Sequence, residues 1–280
     1  MASVPFPRSR TLVVAFEGWN DAGEAASGAV RRIRDFLDVE PVAEVDPEDY
    51  FDYQFSRPVI ATGADGVRRI LWPGVTLFAP AGPDRDGLHL LLGTEPSRAW
   101  KTFAAEVLEL IEDQGIDFVV FLGAMLADVP HTRPISTFAS SEHPAVRDAY
   151  GLERPSYEGP TGIIGVLADA FLRAGIPSVS IWASVPHYVH NSPSPKATLA
   201  LLDALQEFAP VEVPRDELVE ESAAWESGID QLADDDEEMA SYIETLERAR
   251  DTVEAPEATG DAIAEEFERY LRRRDGRDGG

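Results

Sequence analysis

The stretch Thr11-Leu-Val-Val-Ala-Phe16, followed closely by Gly18, decides how the rest of the chain is read. A strand with one face in water alternates polar and apolar residues. This run does not alternate, it is short, and glycine follows it, so it reads as a strand buried on both faces in a parallel sheet. Asp21 stands where it can cap a following helix over 22–37, on which Val30, Ile33 and Leu37 share one face. Further along, 42–45 reads as a second strand. The β-rich runs 57–62 and 67–72 flank Gly63-Ala-Asp-Gly66 and read as a hairpin. Strands follow at 75–79 and 88–92. An amphipathic helix is predicted over 96–114, with Trp100, Phe103, Val107, Leu110 and Ile111 on one face, Pro96 in its first turn and Gly115 at its end. The apolar run 118–122 is a strand ending at Gly123. A helix over 161–174 closes at Gly175, a strand follows at 179–183, and a helix at 195–208. This alternation predicts a three-layer α/β core with a mixed, largely parallel sheet over residues 1–210, with the hairpin at 57–72.

Two segments stand outside that rhythm. Residues 128–157 are rich in Pro, Ser, His and Arg and read as a long irregular loop, of the kind that carries function. Beyond a short linker at 210–214 the strand-like runs stop. Leu218, Trp225, Ile229, Leu232, Met239, Ile243 and Leu246 recur at helical spacing, interrupted at 234–238 where a turn is expected, and a last short helix is expected over 261–273. Residues 211–280 are therefore predicted to be an acidic, all-helical region that packs on the core and partly covers it like a lid.

Composition narrows the function classes. The 280 residues carry a net charge of −27 and no cysteine. Disulfides, thiolate nucleophiles and cysteine-ligated zinc are thereby excluded. The acid is concentrated towards the end, where residues 211–280 hold 23 Asp plus Glu against 8 Arg. Such a field repels a phosphate backbone and argues against nucleic acid as a partner. No run approaches the roughly 20 apolar residues that span a bilayer, and the first residues lack the apolar core of a signal peptide. The expectation is a soluble, cytoplasmic protein that does not touch membranes.

Several segments, taken together and in order, resemble the proteasome assembly chaperone family in its actinobacterial branch. They are Phe16-Glu-Gly-Trp-Asn-Asp-Ala-Gly23, Leu92-Gly-Thr-Glu-Pro96, Leu122-Gly-Ala-Met-Leu-Ala-Asp-Val-Pro-His-Thr-Arg-Pro134, Tyr157-Glu-Gly-Pro-Thr-Gly162, Trp182-Ala-Ser-Val-Pro-His-Tyr188 and Ser194-Pro-Lys196. The resemblance implies a core like that of purine nucleoside phosphorylases. It also implies homo-oligomers, trimers in this branch, and a C-terminal helical region over the core's cleft. Relatives elsewhere help to assemble proteasome rings, some docking through a terminal hydrophobic–Tyr–any residue ending. This sequence ends Arg277-Asp-Gly-Gly280 instead, a departure that bears on direct proteasome docking.

These segments follow the C-terminal ends of predicted parallel strands, where open α/β sheets bind ligands. One cleft is therefore expected, lined by Glu17, Trp19, Asn20, Glu95, Met125, Asp128, His131, Arg133, Thr161, His187 and Tyr188. Trp19, Met125 and Tyr188 would form apolar wall, and Arg133 would favour a small anionic ligand. An enzyme would use Glu17 or Asp128 as a base and His131 or His187 as a proton shuttle. Each has a structural alternative, since Asn20 and Asp21 can cap a helix, Glu95 can sit at a helix start, and the histidines neighbour prolines in loops. There is no G-x-S-x-G elbow, phosphate-binding loop or H-E-x-x-H, and His187-x-x-His190 lacks a third ligand, so neither a metal nor a cofactor is expected. Three functions compete. The first is a chaperone-like or ligand-binding homo-oligomer with a peptide, protein or small-molecule partner. The second is a hydrolase or transferase of nucleoside-phosphorylase type. The third is a scaffold whose acidic helices hold a basic partner. The first is favoured because no acid–base–nucleophile set is complete. The hairpin supports it, since Val59, Ile60, Ile70 and Trp72 give it more apolar surface than a lone exposed hairpin should carry, so it is expected to pack on a neighbouring subunit.

Overall fold

The computed structural model describes residues 10–63, 65–82, 86–190, 192–209 and 211–252. The expected last helix at 261–273 and the chain's ending lie outside them. The opening run forms β1 (Arg10–Glu17), with Leu12 to Phe16 all buried. It is the middle of a seven-stranded sheet. Strands β2 (Val39–Val45), β5 (Val75–Pro80) and β6 (Gly87–Thr94) lie to one side of it, and β7 (Phe118–Ala127), β9 (Ser178–Pro186) and β8 (Thr137–Ser140) to the other. The order is β2-β5-β6-β1-β7-β9-β8. The centre, β6-β1-β7-β9, is parallel, while β2, β5 and β8 run antiparallel to their neighbours. The mixed α/β sheet with helices on both sides, expected from the alternation, is the one observed.

Strand periodicity sorts the core into two halves. Val13 and Ala15 of β1 point to one face, where they meet α1 (Ala25–Phe36) and α6 (Pro195–Leu205). Leu12, Val14 and Phe16 point to the other, where they meet α3 (Trp100–Asp113) and α5 (Ile163–Ala174). Two short helices, α2 (Pro47–Tyr50) and α4 (Pro144–Tyr150), fill the flanks. After residue 213 the described chain is helical, with α7 (Asp216–Asp234) and α8 (Glu237–Thr252) turning at Asp235 and Asp236. Val213 and Leu218 join the α1/α6 half of the core. None of the described helices is long and apolar enough to cross a membrane.

Three boundaries differ from expectation. Helix α3 starts at Trp100, not at Pro96, because the backbone N–H groups of Ser97 and Arg98 are taken by the Tyr50 carbonyl and the Trp100 indole donates to the Pro96 carbonyl at 2.6 Å. Strand β7 runs through Gly123 to Ala127. A Cβ at Gly123 would lie 2.5 Å from the ring of Trp182 on neighbouring β9, so this glycine makes room for an indole and does not end a strand. The supposed loop 128–157 contains β8 and α4. The hairpin is present as β3 (Val59–Thr62) and β4 (Arg68–Leu71), which pair only with each other.

Candidate functional site

Parallel strands β1, β7 and β9 deliver their C-terminal ends to one edge of the sheet, and the loops that follow are tied to one another there. The backbone N–H of Glu95 donates to the Glu17 carbonyl (2.9 Å). Its Oε1 accepts from Asn20 Nδ2 (3.1 Å) and from the N–H of Ile163, the first residue of α5 (2.8 Å). One carboxylate thus joins the loops after β1 and β6 to a helix N-terminus, where negative charge is favoured. Gly162 is pressed against Asn20 so closely that a Cβ would fall 2.3 Å from Nδ2. Glu17 pairs with Arg31 of α1 and accepts from the Thr94 hydroxyl. Among the described residues, the non-glycine residues with left-handed backbone are Glu24 (φ 49°) and Ala99 (φ 55°). Both precede helices that leave this junction, at α1 and α3. Strain of this kind persists where the surroundings fix the backbone.

Asp21 does cap α1, across an intervening 3-10 turn at Ala22–Glu24: its Oδ1 accepts from the N–H groups of Ala26 (2.7 Å) and Ser27 (3.1 Å). The other oxygen, Oδ2, is buried with no hydrogen-bond partner. Burial pushes the carboxyl up to about 6, against hydrogen bonds from Ser27 and Ala26 and the charge of Arg31, which pull it down.

A second group of expected site residues meets the tail helices. His131 is fully buried. Its Nδ1 lies 2.8 Å from the Tyr188 hydroxyl and its Nε2 3.0 Å from Asp230 of α7, and its backbone N–H donates to the same hydroxyl at 2.7 Å. All three contacts are satisfied if Nε2–H donates to Asp230 and Tyr188 donates to Nδ1. Burial pushes the Tyr188 hydroxyl above its ordinary range, the wrong direction for a nucleophile and the right one for a fixed donor. Arg133 forms a two-pronged pair with Asp251 of α8 (2.9 and 2.7 Å) and reaches Glu247 at 3.2 Å. The Asp251 bonds raise the guanidinium above its ordinary value and lower the carboxyl below its own. Lys196 bridges the His131 carbonyl (2.6 Å) and Glu226 of α7 (2.5 Å). Asp128 lies 3.4 Å from both His187 Nδ1 and the Tyr242 hydroxyl of α8.

A cavity of about 760 Å³ lies elsewhere, between α5, the sheet face of β8 and β9, and the loops 18–24 and 153–161. Trp19, Asn20, Met125 and Thr161 line it, and Glu95 stands behind Asn20. Glu17, Asp128, His131, Arg133, His187 and Tyr188 do not line it. The expected residues therefore divide between the cavity and the contacts with α7 and α8. Lining residues that were not among those expected on the cleft include Asp21, Phe138, Tyr157, Ser178, Ser180 and Trp182. A signal for the strand residues was present in Ser178-Val-Ser-Ile-Trp-Ala-Ser184, whose alternation marks one face as partly polar. Among the described residues no group of three His, Asp or Glu side chains is placed to hold a metal ion.

The loops that hold this junction together are the same segments that carried the resemblance, and comparison with known proteins bears on that directly. The model of the PAC2 family matches residues 15–233. A PAC2 family protein from Streptomyces avermitilis is 45% identical over 83% of this chain and 99% of its own, with a TM-score of 0.74. A proteasome-assembly chaperone homologue from Mycobacterium tuberculosis is likewise 45% identical over 83% and 99%, with a TM-score of 0.72. An archaeal proteasome activator from Pyrococcus furiosus, 16% identical over 80% of this chain and 93% of its own, shares the fold with a TM-score of 0.63. Curated proteins give no match. Matched over most of its length by the family model, and similar over nearly the whole of two solved relatives, the chain belongs to the PAC2 family.

Proposed function

We propose that the chain is a chaperone-like binding protein that acts through protein–protein contacts, as a homo-oligomer with proteasome components among its partners. The observation that carries this reading is the hairpin. Val59, Ile60, Ile70, Leu71 and Trp72 are each more than half exposed on a two-stranded sheet that no other described strand joins, and Phe55 stands exposed just before it. Trp72 has its ring 4.8 Å from that of Tyr53. An apolar surface of this kind on an isolated hairpin favours a protein partner. The trimer and the cytoplasmic placement go with the reading as its finer form. So does the division into a core over 1–210 and a helical region over 211–280.

The rival reading, a hydrolase or transferase of nucleoside-phosphorylase type, has less support. The imidazole of His131 is held between Tyr188 and Asp230 of α7, Glu17 is paired with Arg31 of α1, Asp128 lies 3.4 Å from the Tyr242 hydroxyl of α8, and Arg133 is paired with Asp251. A small anionic ligand at Arg133 would have to displace Asp251 and Glu247. The protein-partner reading is tested by mixing the purified chain with proteasome α- and β-subunits and following the species by native mass spectrometry. The expected result is a complex that contains both and is lost in an Ile60→Asp, Ile70→Asp variant. Absence of a complex with the unsubstituted chain would overturn the assignment of proteasome components as partners.

A further inference from the structure

The cavity is the feature that the protein-partner reading leaves unused. Its floor is set by the register of two antiparallel strands. Phe138 of β8 stands directly across from Trp182 of β9, and Ser140 across from Ser180, and all four line the cavity. Cross-strand partners and residues two apart share a face, so two rings and two hydroxyls lie side by side on one patch of sheet. Ile181 and Ala183, on the opposite face of β9, are fully buried, whereas Phe138, Ser180 and Trp182 are only partly covered. A second wall is apolar and comes from α5, whose Ile164, Ala168 and Leu172 line the same space. At about 760 Å³ the cavity is of the size that takes a small organic ligand, and it has the mixture such sites show, mostly apolar wall with a few polar groups.

The charges around this space are largely answered within the chain. Glu142 pairs with Arg154 at 2.9 Å, Asp169 with Arg173 at 2.8 Å, and Glu24 lies 3.8 Å from Arg31. Asp21 faces the start of α1, which it caps. The N-terminus of α5, the place in this wall where an anion would be expected, already has its Ile163 N–H bonded to Glu95. Glu153 and His190 stand exposed to water. A charged ligand would compete with pairs already made and lose hydration among apolar walls. An uncharged one meets rings that can cover an apolar body, and hydroxyls that can both donate and accept.

We propose that this cavity binds an uncharged small molecule with a flat apolar body and a hydroxyl or carbonyl group, the body lying against Phe138, Trp182 and α5 and the polar group meeting Ser140 and Ser180. The test is isothermal titration calorimetry on the full chain with tryptophol, tryptamine and indole-3-propionate, which share a ring system and carry a hydroxyl, an ammonium and a carboxylate. Tryptophol is expected to bind about tenfold or more tightly than either charged compound, since neither charge finds an open partner. Ser180→Ala, which removes one hydroxyl from the floor, should weaken tryptophol about fivefold, the loss of one neutral hydrogen bond. Ala168→Phe, which fills the cavity from α5, should abolish binding. Absence of tryptophol binding, equal or tighter binding of either charged compound, or binding unchanged by Ser180→Ala or by Ala168→Phe would overturn the proposal. Should Ala168→Phe fail to fold, the charge series and the Ser180→Ala variant still decide it.

Discussion

The two faces of β9 meet opposite surroundings. On one, Val179, Ile181, Ala183 and Val185 are buried against the α1/α6 layer. On the other, Ser178, Ser180 and Trp182 face the cavity, where α3 and α5 leave the sheet incompletely covered. A single strand is thus core on one side and cavity wall on the other. Residues two apart serve the same purpose and adjacent residues serve different ones, as the pleat requires. Position in the sheet therefore sets what a substitution costs.

The contrast can be broken most forcefully from the buried side. Ile181→Ala should lower the unfolding free energy by about 2–5 kcal/mol in denaturant titration, since the site is fully packed and cannot collapse around the lost atoms. A cost near zero would mean that the α6 layer is not a packed core. Gly123→Ala comes next. Its Cβ would enter the space of the Trp182 ring, so about 1–3 kcal/mol should be lost, together with a change in indole fluorescence as the cavity wall shifts.

Asp21 sharpens the comparison with a change of opposite sign. Burial raises its carboxyl from the ordinary 3.8 to about 6, so the folded chain holds this proton more tightly than the unfolded chain does. The group therefore favours folding most below pH 3.8, and that contribution is lost as the pH rises through the window from 3.8 to about 6. Asp21→Asn should accordingly raise stability at pH 7.5 by about 1–3 kcal/mol, with the gain shrinking towards zero near pH 4. A gain that does not vary with pH would show that the carboxyl is not the cause. The smallest effect belongs to the open side of β9, where Ser180→Ala should change stability by less than about 0.5 kcal/mol.

The strands and the sheet's parallel centre were legible because runs such as Leu12 to Phe16 have no polar face to hide. The junction of Glu95, Asn20 and Gly162 was legible only in part. The segments could be picked out, but that one carboxylate would bond both an asparagine and a helix N-terminus depends on distances set by the fold. The expected single cleft divided in two because α7 and α8 carry Asp230, Glu247 and Asp251, which occupy the partners that looked free in the sequence. Their spacing along the tail says that they share a surface with solvent, and nothing in it says which core residues they will meet. The cavity was legible only in part: Trp19, Asn20, Met125 and Thr161 were expected on it, while its wall on β8 and β9 follows from incomplete cover by helices, which leaves no periodicity.

The hairpin bears on the central claim most directly, because its apolar side chains stand exposed among the described residues. Multi-angle light scattering at micromolar concentration should give a mass three times the 30.6 kDa of the chain, and the Ile60→Asp, Ile70→Asp variant should fall to the mass of one chain with its far-ultraviolet circular dichroism unchanged. A single-chain mass for the unsubstituted protein, or an assembly unaffected by two carboxylates in the middle of that face, would contradict the account.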